Sequence, residues 1–154
     1  MARMRKGIAN RFHKRPYTRT SKYKKKAFIR MAPNIKIVRF HSGNISKKFK
    51  YTVYLKTKDA INIRDNAIES ARQTSNRLME RTLGTNAYAF KVRVYPYQVI
   101  REHALATGAG ADRFSSGMAH SFGKPVGNAA RVRKDQTIFE ISVDTANIDL
   151  ARKA

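Results

Sequence analysis

All ten acidic residues of this 154-residue chain lie beyond position 58. Residues 1 to 58 hold 19 of the 33 Lys and Arg, so the two parts carry net charges of +19 and +4 out of a total of +23. A formal charge of this size repels itself in a free compact protein. The charge therefore calls for a polyanionic partner in the working state.

From Met1 to about Arg30 there are few aliphatic side chains and no sustained periodicity, which predicts a basic extension over 1–32, disordered when free. Thirty extended residues reach roughly 100 Å, against a radius of gyration of ~14 Å for a compact domain of the remaining length. Arg11, Lys14, Arg15, Arg19, Lys22, Lys24, Lys25, Lys26 and Arg30 are candidate phosphate partners. Tyr17, Tyr23, Phe12 and Phe28 stand among them, offering flat faces for bases or sugars beside the cations, and Tyr17 joins the candidate binding set. The plainer alternative is a solvated terminus that only keeps the protein soluble.

Length allows one domain with a real core, expected over 33–154. With no cysteine, disulfides and thiolate metal sites are excluded. No apolar run approaches the ~20 residues that cross a bilayer, and no apolar stretch follows the basic N-terminus as in a secretion signal. The expectation is an intracellular protein with neither a membrane nor a small-molecule substrate as partner.

Hydrophobic spacing predicts an α+β domain, helices packed on a mainly antiparallel sheet. Ile35, Ile37 and Val38 suggest a first strand, and His41-Ser42-Gly43-Asn44 a turn. Phe49, Tyr51, Val53 and Leu55 alternate with polar neighbours as a second strand. Ala67, Ile68, Ala71, Ser75, Leu78 and Met79 recur at helical spacing over 63–83, with Gly84 placed to end the helix. Its acids Asp65, Glu69 and Glu80 read as a solvated face that pairs with arginines. Phe90, Val92 and Val94 mark another strand. Ala130 with Val132, and Phe139 with Ile141 and Val143, mark two more, joined by a turn at Lys134-Asp135-Gln136. Asp144 or Thr145 is placed to cap a last helix over 146–154, which stops within its pattern as in a shortened chain or an unusually short relative.

Five of the eight glycines fall between Ala104 and Gly127, which predicts a long irregular loop. Arg113, Lys124, His120, Phe114 and Phe122 can meet a nucleic acid there, while glycine lets backbone approach phosphates. Arg113 stands where a dinucleotide-binding fingerprint needs its third glycine, and there is no phosphate-binding Gly-Lys-Ser/Thr, so no nucleotide cofactor is expected. Ser115, Ser116, His120 and Asp112 are the residue types of a hydrolytic triad, but a pliable loop supplies no preorganised base or oxyanion site. The four histidines lack metal-ligand spacing. A non-enzymatic binding protein without cofactor or metal follows; the alternatives are a basic DNA-compacting protein and an RNA-processing enzyme.

The loop also carries a family likeness. Gly108-Ala109-Gly110-Ala111-Asp112-Arg113, Gly117-Met118, Phe122-Gly123-Lys124-Pro125 and Gly127 resemble, in order and spacing, the large-subunit ribosomal protein family called sixteen in bacteria and ten-e in archaea, in its archaeal type. Pro16-Tyr17-Thr18-Arg19, Ala71-Arg72 with Asn76-Arg77, and Phe90 through Tyr97 extend the likeness through nearly the whole chain. It departs where the first fifteen residues lack the family's early Arg-Pro opening and where no continuation follows Ala154. The resemblance implies an α/β-hammerhead type of fold in a cytoplasmic ribosome. Its implied partners are large-subunit rRNA, neighbouring ribosomal proteins, and tRNA near the peptidyl transferase centre. Gly110, Asp112, Arg113, Met118, His120, Phe122, Lys124 and Pro125 would then form the loop near the tRNA site.

Overall fold

Among the described residues seven strands, all paired antiparallel, divide between two sheets, and one long helix covers the larger of them. The computed structural model describes residues 7–11 and 17–154. In chain order the elements are α1 (Ile8–Arg11), β1 (His41–Gly43), β2 (Tyr51–Lys56), β3 (Ile61–Arg64), α2 (Asp65–Leu83), β4 (Tyr88–Val92), β5 (Gln98–Glu102), β6 (Lys124–Val132), β7 (Thr137–Val143) and α3 (Ile148–Lys153). The four-stranded sheet runs β1-β4-β7-β2 and the three-stranded sheet β3-β6-β5. The architecture is the expected α+β class.

The core lies between α2 and the four-stranded sheet. Strict alternation along β4 turns Tyr88, Phe90 and Val92 inward, and their β7 partners Val143, Ile141 and Phe139 face the same way. Phe90 and Phe139 pack with ring centroids 5.2 Å apart. Ile68 and Met79 close the core from the helix, and the Tyr88 hydroxyl donates to Asn76 Oδ1 at 2.8 Å. The three-stranded sheet joins this core through Ala130 and Val132 of β6.

The link between the sheets is a corner at 133–136, the turn expected from the sequence, with Asp135 at φ 59°. Thr57, just past β2, clasps it. Its hydroxyl donates to the Arg133 carbonyl at 2.6 Å, its N–H to the Gln136 carbonyl at 3.1 Å, and its own carbonyl accepts from Asp135 N at 2.9 Å. β6 and β7 are thus neighbours in sequence that pair in different sheets.

Four expectations need correction. Ile35 to Val38 is no strand: Ile37 is buried in the core, but Val38 is 80% exposed, and the ladder begins only at His41–Gly43, where a turn was expected. The backbone there is held by side chains, since Lys36 N donates to Asp65 Oδ2 at 3.1 Å and the Val38 backbone hydrogen-bonds to the Glu69 carboxylate. Those two acids are therefore no solvated face; Asp65 is 4% and Glu69 9% exposed. Residues 61–64, partly assigned to the helix, form β3, and 98–102 form β5, a strand the alternation did not mark. Asp144 caps no helix through its side chain. Its carboxylate bonds Lys47 Nζ at 2.8 Å instead, and this holds its pKa below the ordinary value.

Glu69 is the centre of the helix attachment. Its carboxylate accepts from Arg72 Nε at 2.8 Å, from Arg72 Nη2 at 2.6 Å and from Gln73 Nε2 at 3.0 Å. The Arg72 hydrogen bonds outweigh burial and hold the Glu69 pKa below its ordinary value of 4.5. A depressed folded-state pKa adds stability that is present above the unfolded value and lost as pH falls through the folded one. Glu69→Gln should strand Arg72 and cost roughly 3 kcal/mol at neutral pH. Wild-type stability should fall as pH drops below 4.5 more steeply than that of the variant. Urea titrations at neutral pH and in acid read both effects, and coincident curves would refute the clamp.

The segment between β5 and β6 is irregular from His103 to Gly123, apart from a short 3-10 turn at Ala111–Arg113. The expected loop thus ends four residues early, because Lys124 to Gly127 begin β6. Pro125 is tolerated there because it stands at a register shift opposite Arg101, where the ladder is interrupted. The neck is closed by Gly123: a Cβ there would lie 2.7 Å from the Glu102 carbonyl carbon and 2.9 Å from His103 N. Both are backbone atoms with no room to yield. Gly123→Ala should force the neck open and raise amide exchange across 103–123, with the exchange of β4 and β7 unchanged. Uniform exchange along the chain would contradict this.

Candidate nucleic-acid interface

Two cationic surfaces emerge, one along residues 17–30 and one around a cleft on the three-stranded sheet. In the first, Tyr17 and Phe28 stack at 4.6 Å, and the Arg19 guanidinium lies 4.4 Å from the Phe28 ring centre. Phe28 N donates to the Arg19 carbonyl at 2.9 Å, folding the segment back on itself. Lys24–Lys26 form a 3-10 turn, and the ammonium groups of Lys22 and Lys26 sit 5.3 Å and 5.5 Å from the Tyr23 ring. Cation and aromatic face are thus paired in advance, the combination that meets phosphate and base together. Arg11, Arg19, Arg30 and the four lysines are exposed, whereas Lys14 and Arg15 lie outside the described residues.

The cleft measures about 1220 Å³ and is walled by β3, β5 and β6, residues of the glycine-rich loop, and Pro33 and Asn34 at the start of the body. Arg64, Gln98, Ile100 and Ala129 border it from the sheet; His103, His120, Phe122 and Lys124 border it from the loop and its neck. The Asn128 amide ties this sheet to the body's entry segment by donating to the Pro33 carbonyl at 2.6 Å. The Arg101 guanidinium stacks 3.8 Å from the Phe122 ring centre, fastening the loop's exit to β5. Inside the loop, a His103 ring nitrogen contacts the Gly117 carbonyl oxygen at 2.6 Å.

The structure therefore separates the expected loop residues into two groups. His120, Phe122 and Lys124 join the cleft, and Pro125 sits on β6 beside it. Gly110 takes a left-handed conformation at φ 80°, and Asp112, Arg113 and Met118 project from the exposed part of the loop without bordering the cleft. The Ser115 hydroxyl donates to the Ala104 carbonyl at 3.1 Å and accepts from Gly117 N at 3.2 Å, so it serves the loop's own geometry. Among the described residues no cluster of His, Asp and Glu fits a metal ion. Sequence reasoning missed Arg64 and Gln98. Arg64 lay hidden at the boundary between β3 and α2, and Gln98 is a polar residue on a buried strand position, invisible to any hydrophobic pattern.

The chain is similar to known proteins over most of its length. The family model described as Ribosomal protein L16p/L10e matches residues 14–154. Large ribosomal subunit protein uL16 of Methanococcus aeolicus is 48% identical over 132 residues, covering 86% of this chain and 76% of the relative. The protein of that name from Archaeoglobus fulgidus is 41% identical over 140 residues, 91% of this chain and 77% of the relative, and that from Methanocella arvoryzae is 43% identical over 132 residues, 86% and 77%. The match takes in the loop, both sheets and α2 together, and by it the chain belongs to the ribosomal protein L16p/L10e family.

Proposed function

We propose that this protein is a structural, non-enzymatic constituent of the large ribosomal subunit in the cytoplasm, binding rRNA and shaping the tRNA-binding region near the peptidyl transferase centre. The observation that carries the reading is the partition of charge: 19 bases without an acid in residues 1 to 58, in a chain of a ribosomal family. The finer fold type in this reading is the α/β-hammerhead. Residues 1–32 act as a basic extension, disordered when free, that orders as rRNA closes around it, and 33–154 act as the platform.

The roles divide by chemistry. Arg11, Lys14, Arg15, Arg19, Lys22, Lys24, Lys25, Lys26 and Arg30 neutralise phosphates, with Tyr17 stacking beside them. In the loop, Arg113 and Lys124 are the leading contacts. Gly110, Asp112, Met118, His120, Phe122 and Pro125 give the loop the shape it presents to tRNA, and neighbouring ribosomal proteins complete the surroundings. Backbone contacts of this kind set position and orientation on the RNA and carry little base sequence information.

Each phosphate neutralised on helical nucleic acid contributes roughly 0.7–0.9 to the slope of log affinity against log salt, by analogy with counterion release from DNA. Replacing Lys22, Lys24, Lys25 and Lys26 together by Ala should therefore lower the slope for rRNA fragments by about three. Circular dichroism should not change, because all four side chains are exposed. Salt-series binding measurements test this; an unchanged slope would refute the extension's role. A preference for duplex DNA over structured rRNA would favour the DNA-compacting alternative instead.

A further inference from the structure

One group on the cleft floor has no part in phosphate binding. Gln98 of β5 borders the cleft and is 5% exposed, and neither its Nε2 nor its Oε1 has a hydrogen-bond partner. A buried amide with both ends unmatched is less favourable than an apolar side chain of the same volume. The arrangement makes physical sense if a guest supplies the missing donor and acceptor.

The surroundings narrow the guest. Arg64, Ala129 and Gln98 stand in one row across β3, β6 and β5. Ala129 offers only a methyl group between the two long side chains. A Cβ at Gly127, on the same face of β6, would lie 3.4 Å from Arg64 Nη2, so the guanidinium lies across the bare glycine. The floor is thus flat and small in the middle, with a planar cation on one side and a planar amide on the other. Lys36 and Lys124 border the same cleft, along with Asp65 and Glu102. The Asp65 carboxylate is engaged with the backbone N–H groups of Lys36 and Asn66.

An amide that presents a donor and an acceptor side by side complements an adenine edge, N6–H with N7 or N1. The cleft, at about 1220 Å³, exceeds the ~300–1,000 Å³ of ordinary small-ligand pockets, leaving room for sugar and phosphate as well as base. The terminal torsion of glutamine is soft, so the amide can turn to a guest without backbone change. We propose that this cleft takes in one unstacked adenine nucleotide of the rRNA, its base edge paired with the Gln98 amide. The proposal rests on the rRNA-binding reading and adds to it a base-reading contact, since RNA is read in sequence chiefly through splayed-out bases.

The test compares wild type with Gln98→Met, which keeps the volume and removes both polar atoms. Bound rRNA is probed with dimethyl sulfate at adenine N1 and diethyl pyrocarbonate at N7. One adenine should be protected by wild type and regain reactivity with the variant, with affinity lowered about tenfold and the salt slope unchanged, because no cation is lost. Should Gln98→Met fail to fold, Gln98→Glu, which keeps the shape but loses the donor, should likewise lose the protection. Wild-type affinity and protection retained by the variant would overturn the pocket and leave the rRNA reading standing. Absence of any rRNA binding by wild type would remove both.

Discussion

Two carboxylates on one helix hold together parts of the chain that no ladder joins. Residues 34–40 run from the basic extension into β1 without a strand partner along most of their length, and the N–H groups of such a segment still need partners. Asp65 and Glu69 satisfy them from the start of α2, and Arg72 holds Glu69 in place. The helix is therefore more than an apolar lid on the sheet. It converts an acid-free stretch into part of the body, so the position where the charge asymmetry ends, just before α2, is also where the fold closes on the segment before it.

The two sheets then serve different ends. The four-stranded sheet turns Tyr88, Phe90, Phe139 and Val143 to the helix and carries the core. The three-stranded sheet joins that core through Ala130 and Val132, and lends Arg64, Gln98, Ile100 and Ala129 to the cleft. Val132 and Ile138 flank the corner that Thr57 clasps. A rigid corner matters because the glycine-rich loop springs from β5 and β6. With its neck sealed by Gly123 and Phe122 pinned by Arg101, the loop projects from a fixed base however its outer part moves.

Much of this was legible in the sequence where apolar side chains alternate strictly. β4, β7 and the body of α2 follow directly from spacing, because their core contacts are apolar and periodic, and the turn at 134–136 follows from the polar Lys134-Asp135-Gln136 between two apolar runs. The same logic fails where burial is polar. Asp65, Glu69 and Arg72 share a helix stripe with Ile68, Ser75 and Met79, and a hydrophobic pattern assigns the charged members to solvent. Ile35 and Ile37 announce burial correctly, but burial does not distinguish an extended segment held by side chains from a strand. β5 escaped notice because Gln98 and Arg101 interrupt its apolar run, and β6 began early because Pro125 and Gly127 read as loop. The lysines of the extension were evident from composition, while the grouping of His120, Phe122 and Lys124 with Gln98 required the register of three strands.

The distribution of charge explains why such a basic chain can have a stable body at all. Burying an unpaired cation is prohibitive, and the one buried arginine among the described residues, Arg72, is matched by a bidentate carboxylate. Most other described cations lie on the surface, where solvent and salt screen them over about 10 Å at 0.1 M ionic strength. Long-range repulsion then weakens the free protein modestly but strengthens its attraction to a polyanion, and the two effects share one origin. Neutralising a phosphate partner relieves the repulsion as it forms the contact. In the rRNA-binding reading proposed above, ordering of the basic segments and binding of RNA are coupled by this electrostatic exchange, most strongly along the basic extension, where the sequence holds no acid.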